Sequence, residues 1–147
     1  MGFTTPCFIR KNTPELRKKL EYLGYSHGKP EYYADDDDNK YDFVMCHNGR
    51  FFLLSQENHV IRNGHPLKKH GSINCGTNES LFLAIAALRD DTDKNQWFVY
   101  PNENIWFICN DYDINYVREY IRDSVQSAWF HCSHKATVEE LIEHFKE

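Results

Sequence analysis

Cys75 is a residue whose position in the sequence could support catalysis. It lies in the stretch INCGTNESLFLAIAAL (73–88), just ahead of an apolar run that predicts a helix. A helix N-terminus lowers the pKa of a nearby thiol and favours the thiolate, which is the nucleophilic form. His131 or His134 follows downstream and offers a general base. This cysteine-then-histidine order raises the hypothesis of a cysteine hydrolase, with Cys75 as nucleophile and His131 as base.

Three observations favour a packing role for Cys75 instead. Thr77 is expected to cap the helix, which leaves Cys75 two positions outside it, where the helix dipole acts more weakly. The same Thr-x-Glu entry occurs at Thr13 and Thr137, with lysine in place of the cysteine. Free cysteine is also among the most buried residue types. We therefore expect Cys75 to be a small buried filler, and we assign no catalytic residue.

Cysteine and histidine also raise the question of a metal site. Cys46-His47 and His131-Cys132-Ser133-His134 place suitable ligands side by side, but neither has the paired Cys-x-x-Cys spacing of a zinc site. In an extended strand His131 and Cys132 would point to opposite faces. The run Asp35–Asp38 lacks the central glycine and the distal glutamate of an EF-hand loop. We expect no metal and no cofactor.

The polar stretch 25–42 contains the best candidates for a binding surface. Tyrosine is favoured at protein interfaces, and we assign Tyr32, Tyr33 and Tyr41 to this surface. The alternative is that these rings only cover the sheet. The sequence has no G-x-x-x-x-G-K-[ST], G-x-G-x-x-G, G-x-S-x-G or H-E-x-x-H motif. Their absence disfavours common nucleotide-binding and hydrolase chemistries.

The charge balance disfavours direct nucleic-acid binding. The 147-residue chain has 17 basic and 22 acidic residues and a net charge of −5, whereas non-specific nucleic-acid binding needs a basic surface. An acidic inhibitor that mimics nucleic acid is an alternative, although this net charge is ordinary. The sequence has no apolar run of about 18 residues for a membrane span and no apolar signal region. With five irregularly spaced cysteines, we expect reduced thiols in a cytoplasmic protein.

Local signals in the first part of the chain predict a strand, a helix and a loop. Residues 3–10 are rich in β-forming residues, and Pro6 restricts them to an edge strand or a strand start. Residues 12–24 predict a helix that begins after Thr13 and ends at Gly24. A polar loop follows over 25–42.

The middle of the chain predicts a hairpin and a buried helix. Asn48-Gly49 separates two β-rich runs within 42–56, the strongest short-range hairpin signal. A further strand is expected at 59–64 and a loop at 65–72. The segment 78–89 predicts a helix that is apolar all round and therefore buried on most sides.

The last part predicts a second hairpin at 97–110, a helix at 111–124, a strand at 127–133 and a helix at 135–147. Thr137 and Glu140 have the spacing of a capping box at the start of the last helix. The whole pattern predicts a single α+β domain over 1–147. It would contain a mostly antiparallel sheet built from two hairpins, with about four helices packed on it.

Three stretches together resemble short uncharacterised proteins of gut Bacteroides-type bacteria and their phages or mobile elements. They are FTTPCFIRKNTPELRKKLEYLGY, CGTNESLFLAIAALRDDTDKNQWF and HKATVEELIEHFKE. The resemblance covers the chain ends and the centre, whereas 26–72 is less typical. It implies a small intracellular accessory protein, and it carries no activity and no site residues.

The first functional hypothesis is a non-enzymatic cytosolic binding or adaptor protein whose protein partner and oligomeric state are unknown. A foldable core without a coherent catalytic constellation motivates it. One alternative is a papain-like cysteine hydrolase with Cys75 and His131 as the catalytic pair. The other alternative is the acidic mimic of nucleic acid.

Overall fold

The computed structural model describes residues 2–28, 41–54, 60–61, 65–66, 71–92, 94–100, 105–109 and 133–146. Within these residues the protein is α+β, with helices packed against β-sheets. Three helices are described: α1 (Pro14–Leu23), α2 (Glu79–Ala86) and α3 (Val138–Phe145). None of these described helices has the length and hydrophobicity needed to cross a membrane.

The described strands divide over three sheets. The first sheet has, from edge to edge, β2 (Ser26–His27), β4 (Arg50–Leu54), β3 (Phe43–His47), β1 (Cys7–Ile9) and β7 (Ile73–Asn74). The second sheet has the order β10 (His134–Lys135), β8 (Gln96–Tyr100) and β9 (Ile105–Cys109). A separate pair is formed by β5 (Val60–Ile61) and β6 (His65–Pro66).

Both predicted hairpins are present. Strands β3 and β4 pair antiparallel around Asn48 (φ 51°) and Gly49 (φ 79°), the left-handed conformation that a tight hairpin turn requires. Strands β8 and β9 pair antiparallel from Gln96 opposite Cys109 to Tyr100 opposite Ile105. The antiparallel pair β5–β6 was not predicted, since residues 65–72 were expected to be a loop.

The expected architecture needs correction, because the strands do not form one sheet from two hairpins. Strand β2 lies in the expected loop 25–42 and pairs parallel with β4, and β7 pairs parallel with β1. The first sheet is therefore mixed. Strand β10 lies just beyond the strand expected at 127–133 and pairs antiparallel with β8. The helix expected at 111–124 lies outside the described residues, as does nearly all of 127–133.

The helix starts follow the sequence signals with one exception. Thr13 caps α1, where its hydroxyl accepts a hydrogen bond from the Leu16 N–H at 3.1 Å. The predicted capping box of α3 is confirmed, since the side chains of Thr137 and Glu140 each accept from the other's backbone N–H. The predicted cap of α2 at Thr77 is wrong. A turn through 75–78 moves the helix start one residue on, and the Asn78 side chain caps α2 instead.

One cluster of buried side chains joins the three helices to the first two sheets. It contains apolar residues from every one of these units, among them Cys7 and Ile9 of β1, Leu16 and Leu20 of α1, Phe82 and Ile85 of α2, Val99 of β8 and Leu141 of α3. A smaller cluster of Phe8, Met45 and Leu54 is separate from it. Helix α2 contacts β1, α1 and α3. The apolar helix predicted from the sequence is therefore the central packing element.

Candidate functional site

Cys75 lies in the core and is 4% exposed. Its backbone N–H donates to the Phe8 carbonyl, and its own carbonyl accepts from the Asn78 N–H, both at 2.9 Å. These bonds fix the turn before α2 to strand β1 and leave the thiol facing the cluster of buried side chains. The burial agrees with the expected role of Cys75 as a filler.

Three buried thiols meet at this point. Cys7 lies opposite Cys46 in the β1–β3 register, and its thiol interacts electrostatically with the thiols of Cys46 and Cys75. The Cys7 thiol donates to the Phe82 carbonyl at 4.0 Å, and the Cys75 thiol donates to the Ile73 carbonyl at 3.9 Å. Burial, with the interaction with Cys46, raises the pKa of Cys7. The interaction with Cys7, followed by burial, raises the pKa of Cys75. A raised pKa keeps the thiol protonated, which is the opposite of what a nucleophile needs.

No described residue provides the expected general base beside Cys75. His131 lies outside the described residues. His134 is half exposed on β10, where its Nε2 lies 2.9 Å from a carboxylate oxygen of Glu140. Within the described residues, the Cys75 thiol interacts with the Cys7 thiol and the Ile73 carbonyl.

Of the three tyrosines assigned to a binding surface, the structure describes Tyr41. Tyr32 and Tyr33 lie outside the described residues. Tyr41 is half-buried, packs against the core, and accepts a hydrogen bond at its carbonyl from the Asn12 side chain at 2.7 Å. At this position the alternative interpretation, a ring that covers the sheet, matches the observed packing. In contrast, Tyr22 on α1 is 75% exposed.

Tyr22 borders an apolar groove of about 350 Å³ between the helices and the second sheet. Apolar side chains from five elements line the groove: Tyr22 and Leu23 of α1, Leu83 and Ala84 of α2 with Ala87 directly after it, Trp97 of β8, Ile108 of β9 and Phe145 of α3. The polar residues at its margin are Lys19, Ser80 and Asn95. A concave apolar surface with a few polar groups is the usual form of a binding site.

Asn78 ties together two of the elements that line the groove. Its side-chain oxygen accepts from the Leu81 N–H at 3.1 Å, and its side-chain N–H donates to the Phe145 carbonyl at 2.5 Å. One amide thus caps the start of α2 and satisfies a carbonyl at the end of α3. This link holds Phe145 against the groove.

Glu79 ties α2 to α1 on the other side. Its carboxylate pairs with Lys11 at 2.5 Å and with Lys19 at 2.7 Å. Hydrogen bonds from Lys11 and Lys19 hold the pKa of Glu79 below its ordinary value, against the opposing effect of burial. Lys19, the cation at the groove margin, is therefore held in an ion pair with Glu79 that Lys11 shares.

The end of α2 is satisfied by two buried polar side chains. The Tyr25 hydroxyl donates to the Ala86 carbonyl at 2.7 Å. The Gln96 side chain donates to the Ala87 carbonyl and accepts from the Arg89 N–H at 3.1 Å. Burial of such carbonyls without partners would cost free energy, so these contacts fix the position of α2 relative to both sheets.

An aromatic cluster forms the far wall of the groove. Trp97 and Phe145 face the groove with ring centroids 5.3 Å apart, and Trp106 lies 6.2 Å from Trp97. On the other side of the cluster, Trp106 and His144 stack at 3.9 Å with an angle of 14° between their planes. The cluster therefore joins two surfaces, the groove and a second concavity.

The second concavity is acidic. Glu139, Glu140 and Glu143 of α3 line it together with Trp106 and His144, and we call these five residues the acidic face. Burial acts to raise the pKa of Glu140, but hydrogen bonds from Thr137 and His134 hold it below the ordinary value. Glu140 is thus committed to the capping box, whereas Glu139 and Glu143 are exposed.

Sequence reasoning did not identify the groove or the acidic face. On α1, Leu16 and Leu20 are fully buried, whereas Leu23 is only partly buried and lines the groove. A signal was present, because Tyr22 and Leu23 give α1 more apolar surface than one core face uses. The groove also requires α1, α2 and β9 to lie close together in space, and no local sequence pattern indicates this arrangement.

Metal-binding residues and similarity to known proteins add nothing to the description of the site. In the part of the chain that is described, no three His, Cys, Asp or Glu side chains are arranged to hold a metal ion. No protein-family model, curated protein or solved structure matches the chain. The resemblance to proteins of Bacteroides-type bacteria stays a prediction.

Proposed function

We propose that this protein is a non-enzymatic binding or adaptor protein that holds apolar side chains of a protein partner in the groove. One observation carries the proposal. Among the described residues, the exposed large apolar side chains are Tyr22, Ile108 and Ile142, and the first two both line this groove. Exposed apolar surface that gathers around a concavity marks an interaction site.

The chemistry of the groove supports binding over catalysis. Its ionisable groups are Lys19, which is paired with Glu79, and the phenol of Tyr22. Its remaining polar groups are the side chains of Ser80 and Asn95. The lining residues therefore contain no nucleophile with an adjacent base, which acyl transfer requires.

The fixed frame of the groove also supports this function. Helix α2 is held at its start through Asn78 and Glu79 and at its end through Tyr25 and Gln96. A site that is already formed before the partner arrives loses less conformational entropy on binding. The same frame offers little freedom for a catalytic rearrangement.

Neither alternative gains comparable support. The hydrolase hypothesis needs an exposed thiolate, whereas Cys75 is buried and its pKa is raised. The mimic of nucleic acid rests on Asp35–Asp38, which lie outside the described residues. The groove is formed entirely by described residues.

Site-specific photocrosslinking tests the proposal. A benzoylphenylalanine at position 22 should crosslink a discrete partner in cells, because this side chain stands at the groove margin. The matched control carries the same group at Glu21, which is exposed but does not line the groove. Position 21 should give no such adduct.

A blocking variant completes the test. Ser80→Trp places a large ring at an exposed groove position and should abolish the adduct at position 22 while circular dichroism stays unchanged. Equal crosslinking from positions 21 and 22, or an adduct that survives Ser80→Trp, would show that the groove does not bind the partner.

A further inference from the structure

The acidic face adjoins the groove through the aromatic cluster. The groove is apolar and the face is acidic, so the two surfaces suit chemically different parts of one ligand. We propose that they together bind a basic amphipathic segment of a partner protein, with its apolar side chains in the groove and a lysine or arginine against Glu139 and Glu143. This inference rests on the proposed function and adds the charge of the partner to it.

The arrangement of charge on α3 is the first support. Helix α3 carries three glutamates and no lysine or arginine between Val138 and Phe145. Glu139 and Glu143 are four residues apart and share one face of the helix, where like charges destabilise the helix slightly. A cation between them would reverse the sign of this interaction.

The availability of these two carboxylates is the second support. No described lysine or arginine pairs with Glu139. Glu143 pairs with Lys146 at 2.7 Å, but both side chains are largely exposed, and such pairs contribute little and exchange readily. Glu140, in contrast, is held by Thr137 and His134.

The aromatic wall is the third support. Trp106 and His144 line the acidic face, and their stacked rings lie beside the glutamates. An aromatic surface beside carboxylates favours a cation with an apolar stem, because the stem packs on the rings while the charged end meets the oxygens. Lysine and arginine have this form.

The dimensions allow one segment to reach both surfaces. Phe145 borders the groove, and Glu139 lies six residues earlier on the same helix, about 9 Å along the axis and about 120° around it. The rings of Trp106 and His144 connect the two surfaces across this angle. A partner helix covers that distance in about two turns. The wider charge pattern agrees, since residues 76–147 contain 13 acidic and 6 basic residues.

Three synthetic peptides of about 18 residues test the inference. All carry leucine at the same amphipathic positions, and the polar positions carry lysine, glutamine or glutamate. Isothermal titration of the full-length protein should show that the lysine peptide binds about tenfold more tightly than the glutamine peptide and more tightly still than the glutamate peptide. Raising the ionic strength from about 0.05 to about 0.5 M should reduce this preference.

Variants then separate the two surfaces. Glu139→Gln with Glu143→Gln should remove the preference for lysine and leave binding of the glutamine peptide unchanged. Glu15→Gln with Glu21→Gln, at exposed positions of α1, is the matched control and should keep the preference. Ser80→Trp should weaken binding of all three peptides.

The outcomes distinguish the inference from the proposed function. Equal affinity for the lysine and glutamine peptides overturns the inference, while loss of both in Ser80→Trp still supports the groove. A preference for lysine that survives the double glutamine variant also overturns the inference. If no peptide binds but crosslinking at position 22 gives its adduct, the inference is wrong and the proposed function stands. If no peptide binds and position 22 gives no specific adduct, both the inference and the proposed function are wrong.

Discussion

Asn78 bonds simultaneously to the start of its own helix and to the last residue of another, since its amide caps α2 and donates to the Phe145 carbonyl at 2.5 Å. Phe145 in turn packs edge-on against Trp97 across the groove wall. One polar side chain therefore sets both the first turn of the central helix and the position of an aromatic ring at the candidate site.

The two roles of Asn78 predict different losses. Asn78→Ala removes the cap and the link, and should lower the free energy of unfolding by about 2 kcal/mol. Asn78→Ser keeps a capping oxygen but loses the donor to Phe145, and should cost about 1 kcal/mol. Urea denaturation measures both values, and hydrogen exchange should accelerate in the last turn of α3 for both variants. Unchanged exchange in Asn78→Ser would show that the link does not hold α3.

The thiol cluster predicts chemical protection. Cys7, Cys46 and Cys75 are buried, and the raised pKa values of Cys7 and Cys75 keep these two protonated. In the folded protein, iodoacetamide should modify these three thiols only at the rate of unfolding. The reactivity of Cys7 and Cys75 should not rise through pH of about 8.5 as that of a free thiol does. Mass spectrometry of the alkylated peptides reports each site.

A denatured sample is the control for this experiment, and there all three thiols should react at once. Fast native alkylation of Cys75 with a midpoint well below pH of about 8.5 would contradict the buried cluster. That result would return Cys75 to consideration as a nucleophile.

Glu79 predicts a stability difference that depends on pH. Its folded-state pKa lies below its ordinary value because Lys11 and Lys19 donate to the carboxylate. Ionised Glu79 therefore stabilises the fold above a pH of about 4.3, and this contribution is lost as the pH falls through the folded-state pKa. Glu79→Gln should cost about 1 kcal/mol at neutral pH.

Denaturation of wild type and Glu79→Gln across the acidic range measures the difference. The two free energies of unfolding should converge as the pH falls below the folded-state pKa of Glu79. Glu21→Gln, at an exposed position of α1, should show no comparable convergence. A constant difference at all pH values would mean that Glu79 acts through shape rather than charge.

Local signals in the sequence predicted the parts of the fold that local chemistry determines. Asn48-Gly49 specifies a hairpin because both residues tolerate positive φ, and Thr13 and Thr137 cap helices through their own hydroxyls. The strands β2, β7 and β10 escaped prediction because two residues carry no alternating pattern. Their pairing depends on strands far away in the sequence.

The candidate site shows the same division. Burial of Cys75 was predicted from the preference of free cysteine for protein cores. The cap at Asn78 was missed because Thr77, directly before it, is also a favourable capping residue. The groove was not predictable in this way. Its walls come from positions as far apart as Tyr22 and Phe145, so only the tertiary arrangement brings them together.

The end of α2 gives the last prediction. Gln96 is 1% exposed, and its side chain bonds to Ala87, Lys94 and Arg89 backbone groups. Gln96→Leu has similar volume but removes one buried and two part-buried hydrogen bonds, so it should lower the free energy of unfolding by about 2–3 kcal/mol. Tyr25→Phe loses a single bond, to the Ala86 carbonyl, and should cost about 1 kcal/mol. Both side chains hold the same end of α2, so their effects should be coupled. In urea denaturation, the double variant should lose an amount of unfolding free energy that differs from the sum of the two single losses. Strict additivity would show that the two contacts act independently.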